Sequence, residues 1–353
     1  MNYKGIDPDK FQHMMEQKYN TKKFRGLELM NANGDIATSS LAYQYATDRL
    51  TYIRQRIVEQ SFYEVNPSDY FDVIPGEGAF SAQIITQASI MTSQAFKDGK
   101  INTAGHNAKL ATADAAVTPF YTYVRNWALA IEYSIFDVQQ ALFTGSWDPI
   151  AAKEKARKMD YDLGVQDVAF IGDTDDLTNY PGLYTQSNVN IGLNTLITTN
   201  ISAMTTTQFV TMVASLISTF LANCNQTRFP NTFIIPQDDY AGLAVPLSPT
   251  YPNISMLSYL QQAFDMIVPG GKFKIMPSAY GMTAYNGGAA GIGKQRYILM
   301  RRDIDTVFQE LPVMYTTTAV GTNNNFNFQN VAYAQYAGVT VLKPLEMYYF
   351  DHT

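Results

Sequence analysis

Residues 297–353 consist almost entirely of strand-forming sequence. β-Branched and aromatic residues come in short runs, and the runs are separated by Pro312, Gly321, Gly338 and Pro344. Strand-forming runs separated by proline or glycine are typical of strands joined by turns. The segment contains no cysteine and no nucleophile motif. It therefore predicts a large closing sheet whose role is to hold a shape.

The composition indicates that much of the surface is covered by other chains. A length of 353 residues predicts two subdomains. Charged residues make up 16% of the chain, below the roughly 25% of typical soluble domains, so a monomer would be poorly solvated. The 24 tyrosines and 20 phenylalanines fit this view, because aromatic residues are enriched at interfaces. The alternative is a tyrosine-rich β-protein that is monomeric.

The charge distribution argues against a nucleic-acid reader. The net charge is −6, with +2 in the first 60 residues and −8 in the remainder, whereas nucleic-acid-binding domains are usually basic. The N-terminal sequence lacks the apolar stretch of a signal peptide. No apolar run approaches the length of a membrane span. We therefore expect a protein that is made and used in a cytoplasm.

The first third of the chain predicts segments that reach away from a core. Residues 1–38 are polar and predict an extended arm with a short helical piece at Phe11–Tyr19, and Leu41–Gln60 predicts a helix. Two alternating stretches around a tip of small residues predict a long hairpin over about 80–122. The tip has too few apolar groups to pack on its own subunit, so it is either loose or docked on a neighbour.

The middle of the chain predicts a long helix and a compact α/β subdomain. Asp148 as N-cap and Pro149 at the first helical position predict a helix to about Phe170, the longest in the chain. Apolar periodicity predicts an amphipathic helix at Thr205–Asn223. The remaining elements of this subdomain are predicted as strands at 232–236 and 272–276, a short helix capped by Asp238, and a helix at Ser255–Ile267.

One stretch matches a phosphate-binding motif incompletely. Gly288 to Lys294 fits G-x-x-x-x-G-K, but Gln295 replaces the hydroxyl residue that would hold Mg²⁺. The motif also requires a following helix, whereas the next residues predict a strand. A flexible loop is the favoured interpretation, and a nucleotide-hydrolysing enzyme that uses Lys294 is the alternative.

No other pattern predicts catalysis, a cofactor or a metal. The carboxylates of Asp173, Asp175 and Asp176 lack calcium-loop spacing, which favours a solvated turn and leaves a weak cation site open. Cys224 predicts a buried, inert thiol near a helix end, and the Asp238–Asp239 pair is best explained as helix-start partners. The three histidines, His13, His106 and His352, are far apart and lack metal-ligand spacing.

The order of these elements resembles that of tailed-bacteriophage major capsid proteins with the Hong Kong 97-type fold. Two stretches carry the resemblance. One is DVAFIGDTDDLTNYPGLYTQSNV at 167–189, directly after the long helix; the other combines RDIDTVFQELPVMYTTTAV with VAYAQYAGVTVLKPLEM. The likeness spans roughly residues 40–350.

The resemblance implies an α+β fold, with a peripheral domain of spine helix and antiparallel sheet, an axial α/β domain, an extended loop and an N-terminal arm. The implied division is an arm at 1–38, a helix and the start of the peripheral domain at 39–79, the extended loop at 80–122, the peripheral domain with the spine helix at 123–185, the axial domain at 186–296, and peripheral strands at 297–353 with the last strand returning to the axial domain.

The resemblance also implies function. Copies would form pentamers and hexamers of an icosahedral virion shell around double-stranded DNA, assembled in the host cytoplasm. The implied partners are other copies, portal, scaffold and decoration proteins, and DNA through weak non-specific contact. Candidate assembly contacts in the extended loop are Lys97, Lys100, His106 and Lys109. By analogy alone, a lysine of this loop could cross-link to one of the asparagines at 323–325.

Two further alternatives remain. A cellular encapsulin-like nanocompartment would use the same fold without packaging DNA. A monomeric carbohydrate- or protein-binding β-domain is suggested only by the tyrosine content.

Overall fold

The computed structural model describes residues 62–91, 115–144, 149–248, 251–268, 273–287, 291–322 and 326–353. The predicted arm at 1–38 and the predicted helix at Leu41–Gln60 lie outside the described residues, as do the hairpin tip and Asp148.

The strands are β1 (Asp72–Pro75), β2 (Gln83–Met91), β3 (Ala115–Ser134), β4 (Asn190–Leu193), β5 (Thr232–Pro236), β6 (Pro246–Ser248), β7 (Tyr251–Ser255), β8 (Lys274–Ser278), β9 (Gln295–Met300), β10 (Val307–Leu311), β11 (Val313–Thr317), β12 (Gly321–Thr322), β13 (Asn327–Ala337), β14 (Val339–Val341) and β15 (Met347–His352). The α-helices are α1 (Ile135–Thr144), α2 (Pro149–Phe170), α3 (Thr206–Asn223), α4 (Gln237–Gly242), α5 (Met256–Ile267) and α6 (Thr283–Asn286). Short 3₁₀ turns occupy Pro67–Asp69, Ile201–Ala203, Ala279–Gly281 and Pro344–Glu346.

A five-stranded mixed sheet in the order β4-β15-β9-β5-β8 lies between two apolar cores. Tyr297 and Leu299 of β9 join the core that contains α3 and α5. Ile298 and Met300 join the other core, which contains Phe170 at the end of α2. Burial on both faces explains why β5 and β9 are continuous apolar runs rather than alternating ones.

The strands of the closing segment do not form one sheet, so the prediction of a single large sheet at 297–353 is wrong. β9 and β15 lie in the five-stranded sheet just described, β10 and β14 pair in a three-stranded sheet with β1, and β11 and β13 pair in a third sheet with β3. The chain changes sheet at Pro312, between β10 and β11, and at Gly338, between β13 and β14. A Cβ at Gly338 would lie 2.8 Å from the backbone of Tyr180, so glycine is required at this corner.

Sequence patterns located the main helices well. The predicted helices at Thr205–Asn223 and Ser255–Ile267 are confirmed, with Thr205 and Ser255 as N-caps, and the longest predicted helix is confirmed as α2. Cys224 is buried at the end of α3, as expected. Helix α1 was not predicted, although Ser134 and Asp137 exchange backbone-to-side-chain hydrogen bonds of 3.0 and 3.3 Å at its start. The Ser-x-x-Asp spacing was the available signal.

Candidate assembly surfaces

The hairpin stems form a two-stranded ribbon that continues past the part of β3 that pairs with β13. β3 is 20 residues long and changes partner along its length. Its first nine residues, Ala115–Tyr123, pair with β2, whereas Val124–Ser134 pair with β13. At about 3.3 Å per residue, the two-stranded part is roughly 30 Å long. The predicted hairpin is confirmed for its stems, and its tip at 92–114 lies outside the described residues.

One face of the ribbon exposes large apolar and aromatic side chains among the described residues, beside Gln83 and Gln87. Ile85 lies opposite Tyr121, and their exposed fractions are 54% and 55%. Val117 and Tyr123 share this face by strand alternation and are also exposed. The outer edge of β2 has no partner strand in the described ranges, and QIITQASIM contains no charge, proline or glycine. Edge strands of monomers usually carry such protective residues, so this ribbon is suited to contact another chain.

The base of the ribbon holds a strained aromatic residue. Phe80 has a φ of +63° and an exposed fraction of 75%, an unusual combination for a bulky side chain. Its backbone N–H donates to Gln335 Oε1 at 2.7 Å. On the opposite ribbon face, the hydroxyls of Thr122 and Thr340 hydrogen-bond at 3.0 Å, which attaches the ribbon base to β14.

A buried carboxyl group lies in the three-stranded sheet of β1, β10 and β14. Glu310 of β10 is paired with Ile74 of β1, is 3% exposed, and its Oε2 has no hydrogen-bond partner. Burial, and secondarily the nearby Glu77 carboxylate, raise the pKa of Glu310 to about 7. Glu310 is therefore largely neutral in slightly acidic solution and becomes charged near neutral pH.

The long helix is attached to the ribbon-bearing sheet by a buried arginine. Arg157 of α2 donates to the backbone oxygen of Asn330 at 2.9 Å and to its side-chain oxygen at 2.8 Å. It also donates to the hydroxyl of Tyr315 at 3.0 Å. These bonds hold α2 against β13 and β11. Because β13 pairs with β3, the helix is also connected to the strand that continues into the ribbon.

A second polar contact connects the end of α2 to the central sheet. Gln166 accepts from the backbone N–H of Val65 at 2.7 Å and donates to the hydroxyl of Tyr280 at 2.7 Å. Tyr280 in turn donates to Asp167 Oδ1 at 2.6 Å. The ring of Tyr280 stacks on Phe170 with centroids 4.7 Å apart. These contacts hold together the segment around Val65, the end of α2 and the turn at 279–281 that follows β8.

A buried ion pair lies within the central sheet. Arg296 and Asp351 face each other across β9 and β15 and form two hydrogen bonds of 2.7 Å. Arg296 also donates to the backbone oxygen of Tyr184 and lies 4.5 Å from the ring centroid of Tyr349. All of its contacts are internal, so this pair is structural.

The phosphate-motif stretch does not form a phosphate cradle in its described part. The backbone N–H groups of Ile292 and Gly293 donate to the carbonyl oxygen of Asn286, so they are not directed at a ligand. Lys294 is followed by strand β9 and not by a helix. Within the described part of the motif, the nucleotide-site alternative therefore lacks free backbone donors at Ile292 and Gly293 and a following helix N-terminus.

The other sequence candidates serve structural contacts. Asp173 pairs with Arg125 and accepts from the hydroxyl of Tyr336 at 3.1 Å, so it is more than a solvated turn residue. Among the described residues, no group of three or more histidine, cysteine or acidic side chains is arranged to hold a metal. His352 is buried with its Nε2 3.3 Å from the hydroxyl of Tyr297, and His13 and His106 lie outside the described residues. No helix in the described ranges is long and apolar enough to cross a membrane.

The prediction for Asp238 requires correction. The helix N-cap is Pro236, and Asp238 lies in the first turn of α4. The buried Asp239 caps a different element: its carboxylate accepts from the backbone N–H groups of Ile201 and Ser202 at 2.8 Å each. The N-cap is therefore two residues earlier than predicted, and the fixed φ of Pro236 sets the direction in which the chain enters the helix.

The model of the major capsid protein family matches residues 99–352, more than two thirds of the chain. The chain belongs to the major capsid protein family. No curated protein sequence matches it.

Solved phage structures share the fold of this capsid protein. A chain of the capsid of Myoviridae phage XM1 superposes with a TM-score of 0.68 at 14% identity, covering 87% of this chain and 98% of that one. A chain from Mycobacterium phage Ogopogo gives 0.53 at 12% identity, covering 87% and 99%. A chain from Microbacterium phage Oxtober96 gives 0.52 at 8% identity, covering 88% and 98%. The fold is the Hong Kong 97-type capsid fold, as the sequence resemblance indicated.

These observations do not test the loop residues that were predicted as assembly contacts. Lys97, Lys100, His106 and Lys109 lie in the part of the hairpin outside the described residues, as do the asparagines at 323–325. Arg157, Gln166 and the Arg296–Asp351 pair were missed by sequence reasoning. Each is a polar residue inside an otherwise ordinary helix or strand pattern, and its partner is distant in sequence.

Proposed function

We propose that this capsid protein self-assembles into pentamers and hexamers that build an icosahedral virion shell around double-stranded DNA. The observation that carries the proposal is the ribbon of β2 and β3 in a chain of the major capsid protein family: among the described residues, Ile85, Val117 and Tyr121 are exposed on one of its faces. An isolated two-stranded ribbon is marginally stable in water. A neighbouring copy that covers this face would stabilise both subunits, and closed symmetry would repeat the contact around the shell.

We assign each part of the proposed shell subunit to a residue range. Residues 1–38 act as the arm, 39–79 begin the peripheral domain, 80–122 form the extended loop, and 123–185 with much of 297–353 form the peripheral domain. Residues 186–296 form the axial domain, to which the last strand, β15, returns. We now add the rest of β9 to it, because β9 pairs with β15 and β5 in the same sheet. Lys97, Lys100, His106 and Lys109 contact neighbouring copies.

We propose that assembly takes place in the host cytoplasm with a portal protein, a scaffold and decoration proteins. The net charge of −6 keeps contact with the packaged DNA weak and non-specific, because phosphates repel an acidic surface. The shell performs no catalysis of its own in this proposal.

The first experiment asks whether the expressed protein forms shells visible by negative-stain electron microscopy. The double substitution Ile85→Ser and Tyr121→Ser should raise the protein concentration required for shells at least tenfold, because burial of each side chain contributes roughly 1.5–3 kcal/mol. Ile304→Ser is the matched control, since Ile304 is 52% exposed but lies away from the ribbon. A wild-type protein that stays monomeric at all salt concentrations would refute the proposal.

A deletion tests the ribbon as a unit. Removal of residues 84–118 leaves a four-residue connection between Gln83 and Tyr123, which are paired neighbours. We expect a folded subunit with unchanged far-ultraviolet circular dichroism that no longer closes shells. An unfolded deletion variant would show that the ribbon belongs to a core.

A further inference from the structure

A cavity of about 220 Å³ lies between α2 and the sheet that carries the ribbon. Trp127 of β3 and Tyr336 of β13 line one side, and Tyr161, Gly164 and Asp167 of α2 line the other. Small-molecule sites usually measure about 300–1,000 Å³. The cavity therefore suits a single side chain better than a cofactor.

Gly164 gives an independent indication that something enters this cavity. It is exposed within the interior of the 22-residue helix α2, where glycine is less favourable than alanine. A Cβ at this position would meet no atom within 4 Å, so packing inside the subunit does not require glycine. By contrast, Gly172 has a φ of +98° and backbone atoms 2.7 Å from its would-be Cβ. The open position at Gly164 leaves room for a group from another chain.

The lining of the cavity suits a cation. Asp167 uses Oδ1 to accept from the hydroxyl of Tyr280, and no described residue donates to its other oxygen. The rings of Trp127 and Tyr161 pack with centroids 5.0 Å apart. Asp167 is exposed and lines the cavity together with these rings. Carboxylates and aromatic faces both attract an ammonium or guanidinium group. The second carboxylate of the cavity, that of Asp173, is already paired with Arg125.

We propose that this cavity receives a lysine side chain from residues 92–114 of a second copy of the chain; this inference rests on the proposed shell function. That segment contains Lys97, Lys100 and Lys109 against two aspartates, whereas the chain beyond residue 60 has a net charge of −8. The ammonium group pairs with Asp167, and the methylene stem lies against the rings and over Gly164.

The substitution Gly164→Ala should have opposite effects on the stability of the subunit and on shell assembly. The substitution should raise the subunit melting temperature by about 2 °C, because alanine favours the helix, and should raise the concentration required for shells about tenfold, because the methyl group obstructs the lysine. Asp167→Asn should weaken assembly similarly while it keeps an acceptor for Tyr280. Asp160→Asn is the control, since it removes one charge from an exposed position of the same helix outside the cavity. Assembly of the Gly164 and Asp167 variants at the wild-type concentration would overturn the proposal.

A charge exchange identifies the occupant. Asp167→Lys should block shells, and one of Lys97→Asp, Lys100→Asp or Lys109→Asp in the same chain should restore them. Absence of restoration, or restoration only by reversal of a basic residue within 1–61, would overturn the assignment. Wild-type protein that forms no shells would refute the proposed function itself, whereas shells unaffected by every cavity variant would refute this inference alone.

Discussion

The buried pair of Arg296 and Asp351 gives a quantitative test of how the central sheet is held. Removal of one member leaves the other charged and without its partner inside the protein. Breaking a buried pair in this way typically costs about 3–5 kcal/mol, whereas replacing both members by apolar residues of similar size is often close to neutral. The single variants Arg296→Met and Asp351→Leu should therefore each lose about 3–5 kcal/mol of unfolding free energy.

The double variant should be more stable than either single variant. It retains no buried charge at this site, but the backbone oxygen of Tyr184 loses its donor and the contact with the Tyr349 ring is lost. An unsatisfied buried acceptor costs about 1–3 kcal/mol. We expect the double variant to lose about that amount.

Urea unfolding of the unassembled subunit, followed by circular dichroism, measures all four proteins of this cycle. The quantity that matters is the difference between the double variant and the sum of the single variants. Losses that simply add, to within about 0.5 kcal/mol, would show that the two side chains do not act as a pair, and the reasoning would fail.

Three further predictions concern single positions. Glu310 has a folded-state pKa of about 7 against an ordinary value of 4.5, so the folded state binds the proton more tightly. The stabilising contribution of this proton is complete below about pH 4.5 and is lost as the pH rises to about 7, a loss of roughly 3 kcal/mol in unfolding free energy. Urea unfolding of Glu310→Gln across this window should show a flatter profile, and an unchanged profile would contradict the assignment. Gly172→Ala should cost more than about 2 kcal/mol of unfolding free energy because of the positive φ and the close backbone; an unchanged unfolding free energy in urea would refute this. Arg157→Met should cost about 3 kcal/mol in urea unfolding by leaving the oxygens of Asn330 unpaired, with the exposed neighbour variant Lys158→Met as a near-neutral control.

Local patterns were sufficient for the elements whose own residues determine them. The stripe of α3, the cap at Thr205 and the buried strand β5 follow from periodicity and capping within a few residues. The hairpin stems also followed from alternation along the chain. In these cases the burial pattern and the local hydrogen bonds point to the same structure.

The distribution of the closing strands could not be predicted in the same way. β10 and β11 are separated only by Pro312, and their sequences are equally strand-like, yet they join different sheets. The decision depends on contacts with β1, β3 and β14, which are far away in sequence. The cavity beside Gly164 was missed for a similar reason, because its walls come from α2, β3 and β13.

The continuity of β3 has a mechanical consequence. The strand that forms the ribbon also makes 11 consecutive residue pairs with β13. A force along the ribbon axis runs parallel to these strands, and antiparallel ladder bonds lie perpendicular to them. Such a load is shared by all of the bonds in shear, whereas a perpendicular load would open them one after another. A subunit pulled by its ribbon can therefore transmit tension across the shell wall before the sheet yields.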